Sequence, residues 1–564
     1  MRETEISVLI GGKAGEGIDQ SSLVIARLIN QLGYKIYVYR DYPSLIRGGH
    51  TFSIIRGSKR KIGAHSDKVD FVLALNQDCI ELHKNRLNPD TCIIYDSDVL
   101  KPEGLPAGLK AVGVPLTKIT KEENAIPIMR NSCILGAFIK AAGIRWEILD
   151  QVFRNNLHKE LDQNLKIARR GYDEVKEIIN QVTEIPEKKP MPVVTGNDAI
   201  SLGLVKAGLE AFLAYPMTPT SAILHFLAQQ AENFQLKVVH PENEIAVMLM
   251  ATGFAYAGKR VAVATSGGGF CLMTEGLSLS AMAELPVLIV LGQRPGPSTG
   301  LPTYSCQTEL QFALSAGQGE FARFIAAPGD ADEAYYWSAV ALDLCWKYQM
   351  PAFVLTDKTL SEGNYNLNTE SQCFISKVDL AQVMWDKKNP GAYKRYQITE
   401  TGVSPLVFVP EKDAVIKVNS YEHDEAGITT EEPDVTKTMQ DQRLLKEKYL
   451  AQDLENLRTV EIYGKKDSKA AIVCWGSNKG VCIELGEKLG LKVIQPVVLS
   501  PFPVKKFGEA LQGVEKTIYV ENNATGQLER LARTYGFKSD KMILKYDGRP
   551  FSLEDLESEL EKVK

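Results

Sequence analysis

The chain is 564 residues long, 44% hydrophobic and 24% charged, with a formal net charge of -5 and a pI near 6.0. That length exceeds a single hydrophobic core and predicts two to four domains, and the slightly acidic balance gives no electrostatic ground for binding nucleic acid or an anionic membrane. No apolar run reaches the roughly 20 residues of a bilayer-spanning helix, the N-terminus lacks a signal-peptide pattern, and nine scattered cysteines without a C-x-x-C read as reduced thiols in a cytoplasm.

The first block, 1–185, opens with a strand at Ile6–Ile10, a glycine loop, a helical pattern over Ser21–Leu32 and a strand at Lys35–Tyr39, a β-α-β start. Further strands are expected at Phe71–Leu75 and Thr91–Tyr95. The loop Gly11-Gly12-Lys13-Ala14-Gly15-Glu16-Gly17 would turn bare amides and a helix N-terminus towards a phosphate or other anion. It is neither a strict G-x-G-x-x-G nor a Walker loop, and a tight turn without ligand is the alternative. Arg47-Gly48-Gly49-His50 could close over the same ligand, with Arg47 as a phosphate or ribose contact, or be a surface loop. The charged, proline-rich run Glu184–Pro192 reads as a linker.

The second block, 193–385, alternates helix and strand. Helices are expected at 199–207, 221–233, 244–257 and 273–283, and strands at 209–214, 237–240, 260–265 and 287–291. That alternation predicts a parallel sheet covered by helices. Residues 386–465 form a polar excursion ending in a helix at Thr438–Leu457, and 466–564 make a small α/β domain starting with a strand at Ala470–Cys474.

Chemistry gathers at the strand ends of the second block, where open α/β sheets bind ligands. After 209–214 comes Tyr215-Pro216-Met217-Thr218-Pro219, whose prolines present the Thr218 hydroxyl in a fixed direction. After 287–291 comes Gln293-Arg294-Pro295-Gly296-Pro297-Ser298, which delivers a guanidinium suited to gripping a carboxylate. A hydroxyl and an arginine on facing turns point to a small carboxylic acid; two ordinary loops with Arg294 in a salt bridge are the alternative. Glu242 and Glu244 flank Asn243 at a predicted helix start, where capping is the default account. Thr265-Ser266-Gly267-Gly268-Gly269 permits close approach of a flat ring or a partner subunit, or is a plain turn.

Tyr215–Pro219, Pro241-Glu-Asn-Glu244, Thr265–Gly269, Gln293–Thr303, Glu422-His-Asp-Glu425 and Glu521-Asn-Asn-Ala-Thr-Gly-Gln527 occur in the order found in one family. The chain resembles the α subunit of the 2-oxoacid:ferredoxin oxidoreductases with a γ domain fused in front, over essentially its whole length. Met217 stands where that family usually has Ile. The resemblance implies an α/β fold of three domains: γ-type, thiamine-diphosphate pyrimidine-type with a parallel sheet, and transketolase C-terminal-like. It implies CoA-dependent oxidative decarboxylation of a 2-oxoacid, 2-oxoglutarate or pyruvate, to acyl-CoA and CO2 with reduction of ferredoxin. Glu244 is then the catalytic carboxylate that meets N1′ of the coenzyme's aminopyrimidine, and Thr218 with Arg294 grips the substrate carboxylate. Tyr215 and Ser298 line the same pocket, while Gly11, Gly12, Gly15, Gly17 and Arg47 serve the coenzyme A side. No diphosphate–magnesium motif and no cysteine cluster is present; the resemblance implies a β subunit that carries Mg2+ and the [4Fe-4S] cluster and shares the thiamine diphosphate site. Two other readings remain: a thiamine-dependent decarboxylase or ligase subunit using no ferredoxin, and a non-catalytic CoA- or nucleotide-binding scaffold.

Overall fold

The computed structural model describes residues 5–45, 48–157, 159–185, 189–368, 383–386 and 392–563, in two compact units. Arg47 and part of the predicted linker lie outside the described residues. The first unit comprises Met1–Val194, Glu362–Asn368 and Phe551–Lys564. Its sheet contains β1 (Glu5–Lys13), β2 (Lys35–Asp41), β3 (His50–Ser58), β4 (Phe71–Ala74), β5 (Cys92–Asp96), β6 (Lys110–Val114), β7 (Val193–Thr195) and β14 (Asn364–Asn366), in the order β6-β5-β4-β1-β3-β2-β14-β7. β1, β4, β5 and β6 are parallel, whereas β3 runs antiparallel between β1 and β2. The expected β-α-β start therefore becomes two parallel strands with a third inserted between them. The sequence reading leaves β3 out because it treats His50 as the end of a glycine loop.

The helices of this unit pack through glycine. A Cβ on Gly136 would stand 1.8 Å from the Ala168 carbonyl oxygen, and one on Gly171 2.0 Å from that of Cys133. The Arg130–Ala141 and Leu161–Glu174 helices thus touch backbone to backbone. The last helix, Leu553–Glu561, belongs to this unit too: Glu554 receives the Ser66 hydroxyl at 2.8 Å and the Asp67 amide at 2.7 Å.

The second unit, Thr195–Ser361 and Thr369–Pro550, carries two sheets. The larger holds β8 (Ala211–Ala214), β9 (Lys237–Val239), β10 (Val261–Ser266), β11 (Leu288–Gln293), β12 (Phe324–Ala326), β13 (Ala352–Asp357) and, from far along the chain, β18 (Val498–Ser500). Its order is β18-β12-β13-β11-β10-β8-β9, and all pairs but β12–β18 are parallel. β10, β11 and β13 are buried along their whole length; the first two match the strands expected at 260–265 and 287–291, whereas β12 and β13 are not among the expected elements. β9 lies on one side of β8 and β10 on the other, so the winding reverses between β8 and β10 and opens a crevice at their carboxyl ends.

The smaller sheet contains β15 (Val460–Gly464), β16 (Ala470–Cys474), β17 (Lys492–Pro496), β19 (Lys516–Glu521) and β20 (Lys541–Leu544), in the order β15-β17-β16-β19-β20. β15 precedes the strand that the sequence takes as the first of this block. The long helix also starts earlier than expected, spanning Pro433–Leu454 with proline in its first turn, where a missing N–H costs nothing. Among the described residues no helix is long and apolar enough to cross a membrane.

Candidate active site

At the end of β8 the chain turns through Thr218-Pro219-Thr220, and the bare Cα of Gly292 on β11 makes room for that turn. A Cβ at Gly292 would lie 2.7 Å from both Pro219 Cδ and Thr220 Cγ2. The turn is fastened by Asn197, which donates to the Pro219 carbonyl at 2.8 Å, and by the Thr220 hydroxyl on the Met217 carbonyl at 3.1 Å. Arg294, just past β11, is 7% exposed and donates through one terminal nitrogen to the Thr218 carbonyl at 3.1 Å. Its buried Nε has no hydrogen-bond partner, and among the described residues it forms no ion pair. Burial lowers its pKa, with Glu309 opposing, yet a guanidinium stays charged at any working pH. The structure thus pins the cation to the Thr218 turn and leaves donors unspent.

Glu244 is the first residue of the Glu244–Tyr256 helix, and the cap there is Asn243, whose side chain accepts from the Ala246 amide at 2.9 Å. The carboxyl of Glu244 is relieved of capping. It is 5% exposed, and its Oε1 sits where a Cβ on Gly269 would come within 2.5 Å. The glycine run is not the loop expected before a helix at 273. It forms the first turn of the Gly267–Met282 helix, although glycine is a poor helix former, because two carboxyls press against it. Gly269 receives Glu244, and Gly267 receives Glu309, whose Oε1 would lie 2.5 Å from a Cβ at that position.

The remaining predicted residues stand at the rim. Tyr215 is exposed, with its ring 6.0 Å from that of His240, just ahead of Pro241. Ser298 is exposed, holds a left-handed φ of 57°, and places its carbonyl oxygen 3.8 Å from a Cβ position on Gly268. The helices carrying the two glutamate contacts also expose Ile245, Leu249, Met250 and Leu272.

Gly11 and Gly12 do not belong to a loop. They lie inside β1, paired with Phe52 and Thr51, and are shielded by Cys79 and His50 and by Ile18 and Glu16. The turn proper is Ala14–Gly17, and its anion is internal: Glu16 accepts from the Lys13 amide at 2.9 Å and pairs with Arg130 at 3.1 Å. Gly15 is open at φ +89°, and Gly17 borders an apolar cavity of about 230 Å³ lined by Val24, Ile128, Leu135 and Phe153.

Sequence reasoning misses Glu309. Burial pushes its carboxyl up to about 8, against the pull of the Thr308 hydroxyl and of Arg294. Its signal was the acidic residue at the mouth of an apolar helix, which also reads as an ordinary helix start. Two motifs of the resemblance prove architectural. Glu521 is buried and accepts from Trp475, Asn523 and the amides of Leu528 and Glu529, while Gln527 binds the Thr308 carbonyl at 2.8 Å. Glu422 forks onto Arg443. Among the described residues no group of three or more His, Cys, Asp or Glu side chains could hold a metal ion.

Comparison with known proteins agrees with this layout. Residues 202–441 match the family model for the thiamine-diphosphate-binding part of pyruvate flavodoxin/ferredoxin oxidoreductase, and residues 7–174 that for pyruvate ferredoxin/flavodoxin oxidoreductase. The 2-oxoacid:ferredoxin oxidoreductase subunit alpha of Saccharolobus solfataricus is 30% identical, over 99% of this chain and 98% of its own. Subunit alpha of 2-oxoacid:ferredoxin oxidoreductase 2 from Aeropyrum pernix is 29% identical, over 97% and 96%. The solved 2-oxoglutarate:ferredoxin oxidoreductase of Magnetococcus marinus superposes with a TM-score of 0.90 at 29% identity, over 99% of both chains. On the match to these relatives along its whole length, the protein belongs to the 2-oxoacid:ferredoxin oxidoreductase α-subunit family.

Proposed function

We propose that this α subunit binds a 2-oxoacid by its carboxylate and, with a β subunit in the cytoplasm, converts it with coenzyme A to acyl-CoA and CO2 while reducing ferredoxin. The observation that carries the reading is Arg294: a buried cation fixed to the Thr218 turn by one donor, with no ion-paired carboxylate among the described residues. A bidentate contact to an incoming carboxylate completes the fork, with the Thr218 hydroxyl as the candidate second donor.

Glu244 fits thiamine diphosphate. It stands buried at a helix start, is spared from capping, and makes no hydrogen bond through its side chain among the described residues, so it is a ready acceptor for the protonated N1′ of the aminopyrimidine. When bound, the coenzyme supplies the nucleophile and electron sink for decarboxylation. This chain's share is to hold the proton-tuning carboxylate, orient the substrate acid and form one wall. The exposed apolar residues Ile245, Leu249, Met250 and Leu272 beside Glu244 suit burial against the β subunit, to which we assign Mg2+ and the [4Fe-4S] cluster. For coenzyme A we assign the first unit, with Gly15, Gly17 and Arg47 as the candidate contacts.

Among substrates we place 2-oxoglutarate ahead of pyruvate, because the Magnetococcus marinus enzyme, similar along the whole chain, holds 2-oxoglutarate, coenzyme A and succinyl-CoA. Co-expression with the β partner, followed by dye reduction with a panel of 2-oxoacids and coenzyme A, tests the proposal. Turnover by the isolated chain, or CoA-independent turnover by the complex, would overturn it.

A further inference from the structure

Glu309 is bolted to both sides of Arg294. Its amide donates to the Gln293 side chain at 3.2 Å, and the Thr308 hydroxyl spans its Oε2 at 2.9 Å and the Arg294 carbonyl at 3.2 Å. Its other oxygen rests on Gly267, in the first turn of the helix whose Gly269 receives Glu244. No cation among the described residues comes within ion-pair distance of it, and Arg294 acts on it from further away. A buried carboxyl so placed has no ion pair among the described residues and makes no side-chain capping bond, although Glu309 stands at the N-cap position of the Leu310–Ser315 helix.

We propose that Glu309 sets the pH range in which the site accepts an anionic substrate, as a proton-switched carboxyl that leaves the charge of Arg294 to the substrate while it carries its proton and competes with the substrate once it loses it. The inference rests on Arg294 being the carboxylate clamp. The groups around Glu309 are consistent with such a switch. Arg294 and the Thr308 hydroxyl favour the ionised form, burial opposes it more strongly, and the neighbouring Cys306 thiol, pushed up to about 12, is uncharged. Glu244 lies against Gly269 in the same helical turn whose Gly267 receives Glu309. The sign follows from the upward shift. Below about 8 the acid is neutral and the guanidinium is unopposed; above it, a negative charge faces the incoming carboxylate, so binding requires uptake of one proton.

The experiment measures KM for 2-oxoglutarate and pyruvate against pH in the complete α–β enzyme. For the parent, KM rises above about pH 8 with a slope approaching tenfold per pH unit, the limit for one linked proton. Glu309→Gln, which cannot ionise, removes that climb, and Thr308→Val, which deletes a hydrogen bond to the ionised form, moves its onset to higher pH. A climb that persists in Glu309→Gln overturns the proposal, as does an unmoved onset in Thr308→Val, which decides the matter if the glutamine variant fails to fold. Arg294→Ala separates the two levels of the argument. If its KM at neutral pH equals the parent's, the clamp itself is wrong; if its KM is raised while Glu309→Gln keeps the alkaline climb, the switch alone is wrong.

Discussion

Two glycine-rich strand-to-helix segments look alike in sequence and behave differently in the fold. In the first unit, Gly11 and Gly12 are consumed by β1 and by neighbouring side chains, and Glu16 occupies the turn as an internal anion. In the second, Gly267 and Gly269 begin a helix and admit two carboxyls from other elements, Glu309 and Glu244. Glycine marks a close approach in both places. What approaches is decided elsewhere: a local turn closing on itself in one case, two carboxyls delivered from the starts of other helices in the other.

The strongest way to break the contrast is at the second segment. Gly269→Ala would set a Cβ 2.2 Å from the Thr265 hydroxyl and 2.5 Å from Glu244 Oε1, so Glu244 must move. Turnover by the α–β enzyme should fall by about 100-fold or more, in the range of lost positioning or proton transfer. Glu244→Gln should abolish it while the complex still elutes intact; full activity in either variant would show that Glu244 is a mere helix-start residue. Next in size, Arg294→Ala should raise KM by about 30- to about 1,000-fold, equivalent to about 2–4 kcal/mol for a lost charged contact.

The first segment should answer in stability. Gly12→Ala places a Cβ 2.8 Å from Ile18 Cδ1 and 2.9 Å from Glu16 Oε2, an overpacking worth about 1–3 kcal/mol, read as a lower urea midpoint. Gly15→Ala meets nothing within 4 Å and costs only the left-handed backbone, about 1–2 kcal/mol. If Gly15→Ala proved the more damaging of the two, the crowding around Gly12 would be a poor guide to what this segment does.

The elements that sequence located well are those with strong local signals. In the second unit β8, β10 and β11 are legible because a strand buried on both faces must be apolar throughout, and Thr218 and Arg294 because they follow such strands directly, whereas β12 and β13 escape the reading. β3 escaped because its glycine-flanked start reads as a loop, and only pairing with β1 and β2 makes it a strand. The glycines at 267–269 were placed outside a helix on propensity, and tertiary contact overrode it.

The sequence by itself determined the alternation of strand and helix, the parallel sheet of the second unit and the turns that carry Thr218, Glu244 and Arg294, since each depends on neighbours a few residues away. Tertiary structure alone decided that Glu16 seals its own turn, that β18 joins a sheet begun far earlier in the chain, and that Glu309 is stripped of water beside Arg294. Burial and the electric environment of a carboxyl are set by whatever packs over it from remote segments, and no local pattern encodes that.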